Sequence, residues 1–309
     1  MPQGTSRAIP GLHHVTAISG PPQDNLDFWV RTLGQRLIKR TVNFDDPGTY
    51  HLYYGDKDAA PGSIMTFFPF VDAGPGRAGP GMASAVAYAV PDLDRRMGEL
   101  AEAAIDFEGP FDRFGERVIA LKDPDGLRVE LIEGGARDEG FHSVTLWLEE
   151  VVATAELLEA MGYVREAEEA STTGGTDGVE ARIRYRSTDP ERGSAVDLMT
   201  SDARSIGRSG AGTIHHVAFR ARNQDEQLAW RARLSAAGQQ ITPVIDRQYF
   251  DAIYFRTPGG VLFEIATDPP GFAVDEDPAH LGEELKLPKK YEAHRDRIEQ
   301  VLPHIRVPK

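Results

Sequence analysis

The chain has 309 residues, no cysteine and a formal net charge of −14. Without thiols neither a disulfide scaffold nor a thiolate metal site can form, so any metal must be held by nitrogen and oxygen. The acidic balance argues against tracking a phosphate backbone, no apolar run is long enough to span a bilayer, and residues 1–10 lack a secretory signal, so the expected setting is the cytoplasm.

A first predicted strand follows Gly11 and carries Leu12, His13, His14, Val15 and Thr16. A helix is expected over 24–33, with Gly34 behind it, then a strand over 50–54 bearing His51 and Tyr53. The turn Pro61-Gly62 opens the last strand of this stretch, which holds Phe67. Residues 72–81, rich in Gly and Pro, read as a loop or lid. A strand over 83–90, a helix over 92–104 and a turn at Asp123-Pro124-Asp125-Gly126 come next, the turn leading to Glu130. Then a strand with His142, a helix over 149–161 stopped by Gly162, a hairpin tip over 171–178 and a closing strand with Asp197 complete a third unit. A second Gly/Ser-rich connector spans 202–212. Beyond it a strand with His215 and His216 precedes a helix over 227–237, for which Asn223 and Asp225 are candidate caps, and Gly238 suits its end. The turn Pro258-Gly259-Gly260 opens an apolar strand containing Glu264. In the tail, Leu285, Leu287, Tyr291 and Ile298 can dock a terminal helix stopped at Pro303, in a packing or homo-oligomer role. His280, His294 and His304 read as surface residues of that tail.

The order strand, capped helix, strands entered by a Pro/Gly turn recurs four times, giving an α+β chain of four βαβββ modules. Their expected bounds are 11–71, 83–135, 140–201 and 212–268, with a docking tail over 269–309. Aligned on the turn proline, Phe67 stands where Glu264 stands.

A glutamate inside an apolar strand needs a partner. Two readings fit Glu264 and His216: a shared metal ion, or a wet edge-strand carboxylate beside a hydrogen-bonded core histidine. Neighbours on a strand point to opposite faces, so only one of His13 and His14, and one of His215 and His216, should face a single ion unless a bulge intervenes. Glu130, His142 and Asp197 in the middle modules read as the polar remnant of a duplicated site, with a second metal position as the alternative.

Four βαβββ copies with histidines on first strands and a carboxylate on a last strand resemble the vicinal oxygen chelate superfamily. The runs 11–16, 41–55, 140–146, 212–219, 246–250, 254–267 and 270–275 resemble those of ring-cleaving dioxygenases of the hydroquinone type. That resemblance implies modules assembled into two curved mixed sheets, and Fe(2+), with Mn(2+) as a possible replacement, bound by His14, His216 and Glu264. It puts His13, Thr16 and His215 near the site, and Arg247 and Tyr254 beside a small aromatic diol that reacts with O2. Phe67 would then be an apolar wall. The rivals on the same fold are a glyoxalase-type metal-dependent isomerase, which would want a carboxylate at Phe67, and a non-enzymatic protein that sequesters an aromatic ligand.

Overall fold

The computed structural model describes residues 7–134, 140–170, 179–201 and 206–307; the expected hairpin tip at 171–178 lies outside them. The first module contributes β1 (Leu12–Ser19), β2 (Arg36–Val42), β3 (Tyr50–Gly55) and β4 (Ile64–Pro69). The second contributes β5 (Met82–Val90), β6 (Glu108–Arg113), β7 (Glu116–Lys122) and β8 (Arg128–Glu133). The third holds β9 (Phe141–Trp147), β10 (Tyr163–Ala170), β11 (Val179–Ser187) and β12 (Ala195–Ser201). In the fourth lie β13 (Thr213–Ala221), β14 (Ile245–Asp246), β15 (Phe250–Arg256) and β16 (Leu262–Pro270).

Modules pair from the outside in. One eight-stranded sheet has the order β14-β15-β16-β13-β1-β4-β3-β2, and the other β10-β11-β12-β9-β5-β8-β7-β6. The first and fourth modules therefore share a sheet although some two hundred residues separate their first strands. Within it β1 and β13 run antiparallel, while β1–β4 and β13–β16 are parallel, so the sheet is mixed about a central antiparallel seam. Strand alternation sends Val15, Phe67, Val217 and Phe263 into a large apolar core with Trp29 and Trp230. The opposite face carries His14, Thr16, Thr66, His216 and Glu264.

The helices follow their capping chemistry, with adjustments. The expected 24–33 helix is α1 (Pro22–Asp27) followed by a wider π turn (Phe28–Thr32), in which Leu33 N–H reaches Phe28 O at 3.0 Å and Trp29 is fully buried. Asp92 caps α2 (Leu93–Glu102) through Arg95 N–H. The third helix, α3 (Val152–Ala160), starts three residues later than expected and has no side-chain cap. The fourth, α4 (Gln224–Ala236), starts three residues earlier than expected because Asn223 alone is the cap, accepting from Glu226 N–H, which puts Asp225 inside the first turn.

The connectors pair with each other. Pro75 bridges Ala211 and Arg77 bridges Arg208, binding 72–81 to the described part of the second connector. Gly212 sits at φ +83°, and a Cβ there would fall 2.0 Å from Asp125 O, so only glycine lets the two sheets' turns meet this closely. The tail packs on the first module. Lys39, fully buried, reaches Asp275 at 2.6 Å and also Glu276, Tyr291 Oη donates to Phe44 O at 2.8 Å, and Leu287, Ile298, Leu302 and Ile305 are buried. The terminal helix is α5 (Arg295–Val301), which ends before Pro303 and contains Ile298, while Tyr291 lies in a preceding 3₁₀ turn and Leu285 bridges Arg40. His280, His294 and His304 are exposed. Among the described residues no helix is long and apolar enough to cross a membrane.

Candidate metal centre

The seam between β1 and β13 builds the site. Residues from both strands would alternate faces, but the ladder slips twice: Leu12 pairs with Phe219 while His14 pairs with Ala218, and Thr16 pairs with His216 while Ala17 pairs with Ile214. One extra residue, His13, bulges from β1, and one, His215, bulges from β13. Bulges re-aim side chains next to functional sites. Here they bring both members of each histidine pair to one side, with Nδ1–Nδ1 contacts of 2.9 Å for His13–His14 and 2.8 Å for His215–His216.

Both inner imidazoles then point Nε2 at one spot. His14 Nε2 lies 3.3 Å from His216 Nε2 and 3.6 Å from Glu264 Oε2, and His216 Nε2 lies 3.0 Å from the same oxygen. Glu264 arrives on β16, which pairs with β13 so that Glu264 faces Ala218. Its side chain is fully buried, and neither oxygen has a hydrogen bond of ordinary geometry. Buried carboxylates without partners are expensive, so this donor set calls for a cation. A metal about 2.1 Å from three donors holds them roughly 3.0 Å apart at right angles and roughly 3.4 Å at tetrahedral angles, matching the observed spacing. Among the described residues, His14, His216 and Glu264 are the group so disposed. Burial opposes the charge on Glu264, but His14 and His216 together hold it well below the usual carboxylate range. Burial lowers His216, with Glu264 opposing, and takes His215 down to about 4, His216 adding to the effect; His13 is likewise lowered by burial and by His14. Neutral imidazole is the ligating form.

A cavity of about 520 Å³ opens over the cluster. His215, Arg247 and Tyr254 line it, whereas His13 and Thr16 lie behind its wall. Tyr254 pairs with Glu264 across β15–β16 and crosses the His216 ring edge-on at 5.8 Å. Arg247 Nε donates to Tyr254 Oη at 3.3 Å and its Nη1 reaches Asp45 at 3.4 Å. Burial and the Glu264 charge raise the Tyr254 hydroxyl well above its ordinary value, so it keeps its proton. Sequence reading left His51 and Tyr53 without a role. Both line the cavity.

One expectation needs correction. In the first module Thr16 pairs with Thr66 as Ala218 pairs with Glu264, so Thr66, not Phe67, is the counterpart of the carboxylate. The first turn, Pro61-Gly62, is one residue shorter than Pro258-Gly259-Gly260, and aligning on proline slips the strand by one and flips its faces. Phe67 instead packs on Trp29 at 5.1 Å in the core. Among the described residues the middle modules make no comparable cluster, in keeping with a polar remnant. Their ladder places Ala85 and Ser143 where His14 and His216 stand, and His142 is the bulged residue, like His215. His142 Nε2 meets Glu116 at 3.1 Å, Asp197 is clamped by Arg184 at 2.7 and 3.0 Å, and Glu130 is paired with Arg113 and Arg128. Burial works against ionisation of Glu130, yet Arg113, Arg182 and Arg128 hold it at about 2. Guanidinium groups neutralise these carboxylates, so among the described residues this remnant holds no second cluster of metal ligands.

Paired βαβββ modules swapped into two mixed sheets, with histidines from both halves and one carboxylate converging at a seam, define a protein of the vicinal oxygen chelate type. The chain belongs to the Glyoxalase/Bleomycin resistance protein/Dioxygenase superfamily, whose family model matches residues 11–131 and 165–265. It is 44% identical to a Bacillus subtilis protein named as a candidate ring-cleaving dioxygenase, MhqO, over 94% of this chain and 95% of that one. It is 33% identical to a chlorohydroquinone/hydroquinone 1,2-dioxygenase of Sphingobium indicum, with the same two coverages. The crystal structure of a candidate dioxygenase from Bacillus subtilis superposes with a TM-score of 0.88 at 41% identity, covering 99% of this chain and 100% of that one. Maize glyoxalase I shares the fold alone, with a TM-score of 0.63 at 14% identity over 84% of this chain and 92% of its own.

Proposed function

We propose that this protein is an iron(II)-dependent dioxygenase that opens the ring of hydroquinones or related dihydroxylated aromatics with O2. The observation that carries the reading is the convergence of His14, His216 and a hydrogen-bond-free, buried Glu264 beneath a largely apolar cavity. These three residues would hold Fe(2+), with Mn(2+) as the substitute; such an ion would supply an anchor for a phenolate oxygen and activate O2. The surrounding side chains prepare the rest. His13 and His215, each against the Nδ1 of its neighbour, fix the orientation of the two ligand rings and their tautomer. With His216 ligating through Nε2, its Nδ1–H donates to His215 Nδ1, so His215 carries its proton on Nε2 and, facing the cavity, can donate a hydrogen bond to a substrate oxygen. Tyr254 keeps a proton to donate to an oxygen that gains charge, and the Arg247 guanidinium beside it stabilises that charge. Thr66 at the counterpart of Glu264 withholds the second carboxylate that a glyoxalase-type isomerase would want. A protein that merely sequesters aromatics has no need for the buried triad.

The test is oxygen uptake when hydroquinone is added to protein loaded with iron under anaerobic conditions. Uptake with about one O2 consumed per ring opened is the expected result. Iron bound without uptake on any dihydroxylated aromatic would overturn the dioxygenase reading.

A further inference from the structure

The cavity has two unlike sides. Toward β15 it carries Tyr254 and Arg247; toward β3 and β4 it presents the rings of Tyr53, His51 and Phe68. His51 is the middle of this wall, its ring centroid 4.1 Å from that of Tyr53 and 4.3 Å from that of Phe68. Phe68 in turn meets His215 edge-on at 6.0 Å, so the wall runs from the first module to the edge of the metal cluster.

A histidine in a catalytic cavity invites an acid–base role, but the nitrogens of His51 are both occupied. Tyr53 Oη lies 2.9 Å from Nδ1, and Nε2 lies 2.9 Å from Thr66 Oγ1, which is 2.8 Å from Thr16 Oγ1. Burial keeps the Tyr53 hydroxyl protonated and His51 neutral, His14 and His216 reinforcing the latter. In either neutral tautomer one ring nitrogen donates and the other accepts, so Tyr53 and Thr66 satisfy both, and Thr66 carries the chain on to Thr16. The chain ties off the ring's polar edge and locks its orientation. What His51 offers the cavity is aromatic surface.

We propose that the first-module wall, centred on His51 and extended by Phe68, is the surface against which the substrate ring packs while its oxygen is held at the metal centre. The sheet order supports the placement: β3 lies two strands from β1, roughly 10 Å across the sheet. A ring whose oxygen is anchored over β1 extends over β4 toward that wall. The wall itself is made of the rings of Tyr53, His51 and Phe68 without a charged side chain among them, which suits an uncharged ring. His51 thus determines affinity and ring orientation through its face, and this inference rests on the dioxygenase reading of the site.

The test compares His51→Ala, His51→Phe and Phe68→Leu with the unaltered protein, all loaded with iron without oxygen and titrated calorimetrically with hydroquinone. Loss of one aromatic contact should raise Kd about three- to tenfold in His51→Ala and Phe68→Leu. His51→Phe should stay within about threefold, because it restores the ring without the nitrogens. In turnover the same ordering should fall on KM, with kcat and iron content near the unaltered values. A His51→Phe variant as impaired as His51→Ala, or a loss confined to kcat, would assign the function to the nitrogens and overturn the proposal. If His51→Ala does not fold, His51→Phe and Phe68→Leu decide alone, with unchanged affinity in Phe68→Leu counting against the wall. Tight hydroquinone binding without oxygen uptake would overturn the dioxygenase reading while the Kd series still judges the wall, and failure to bind either iron or hydroquinone would overturn both.

Discussion

Asp123 opens the turn that joins the second module to the first sheet, and it should make stability depend on pH. Its Oδ1 accepts from Asp125 N–H at 3.0 Å and Leu127 N–H at 2.8 Å, while Oδ2 is buried without a partner. Burial pushes its carboxyl from the ordinary 3.8 up to about 7, the turn N–H groups opposing and the Asp125 charge assisting. A raised carboxylate pKa means that the folded state holds the proton more tightly than the unfolded chain. No penalty exists below about pH 3.8; it grows as pH rises to about 7 and is constant above. At about 1.4 kcal/mol per pH unit the penalty is roughly 1.6 kcal/mol at pH 5 and roughly 4 kcal/mol at pH 8. Asp123→Asn keeps the Oδ1 acceptor and removes the charge, leaving a buried amide that costs about 1–3 kcal/mol at every pH. That constant cost cancels when two pH values are compared. The variant should therefore gain about 2.5 kcal/mol relative to the unaltered protein on going from pH 5 to pH 8. Urea unfolding of both proteins at the two pH values measures this. An Asn-minus-Asp difference identical at pH 5 and pH 8 would show that Asp123 ionises normally and refute the reasoning.

Other outcomes follow from the same structure. Glu264→Gln should cost at least about 10- to 100-fold in metal affinity, read as metal retained after desalting, because it removes the charged ligand, whereas Glu130→Gln should retain full metal content. Glu130→Gln should still lower stability by about 3–5 kcal/mol, since it strips a buried partner from Arg113 and Arg128. Tyr254→Phe should retain metal and lose about 100-fold or more in kcat if its proton is used in turnover, and a change in KM alone would exclude that use. Lys39→Met leaves Asp275 and the nearly buried Glu276 without their cation, so it should destabilise by about 3–5 kcal/mol and expose the tail to trypsin, which limited digestion would reveal as early cleavage after Lys286, Lys289 or Lys290.

Much of this protein was legible before any coordinates. Four modules could be recognised from recurring capped helices and Pro/Gly turns, and the histidine pairs with Glu264 stood out because ionisable residues in apolar strands demand partners. Local chemistry carries such signals: a cap, a turn and an alternation are properties of neighbouring residues. Helix ends were harder to read. The π turn at Phe28–Thr32 follows from packing Trp29, which no local preference reports.

What required the fold was register. Whether Phe67 or Thr66 faces the cluster depends on a single turn residue, because strand side chains alternate and a slip of one inverts every face. Whether His13 supports His14 or points away depends on a bulge, which arises only where β1 meets β13. The arginines that neutralise Glu130 and Asp197, and the Tyr53–His51–Thr66–Thr16 chain, join residues from different strands whose adjacency no spacing encodes. Sequence by itself determined which residues could bind and which modules would form, since those follow from side-chain chemistry and short-range geometry. Only the tertiary structure decided which of them meet, because strand pairing across two hundred residues is set by burying both sheets' faces at once.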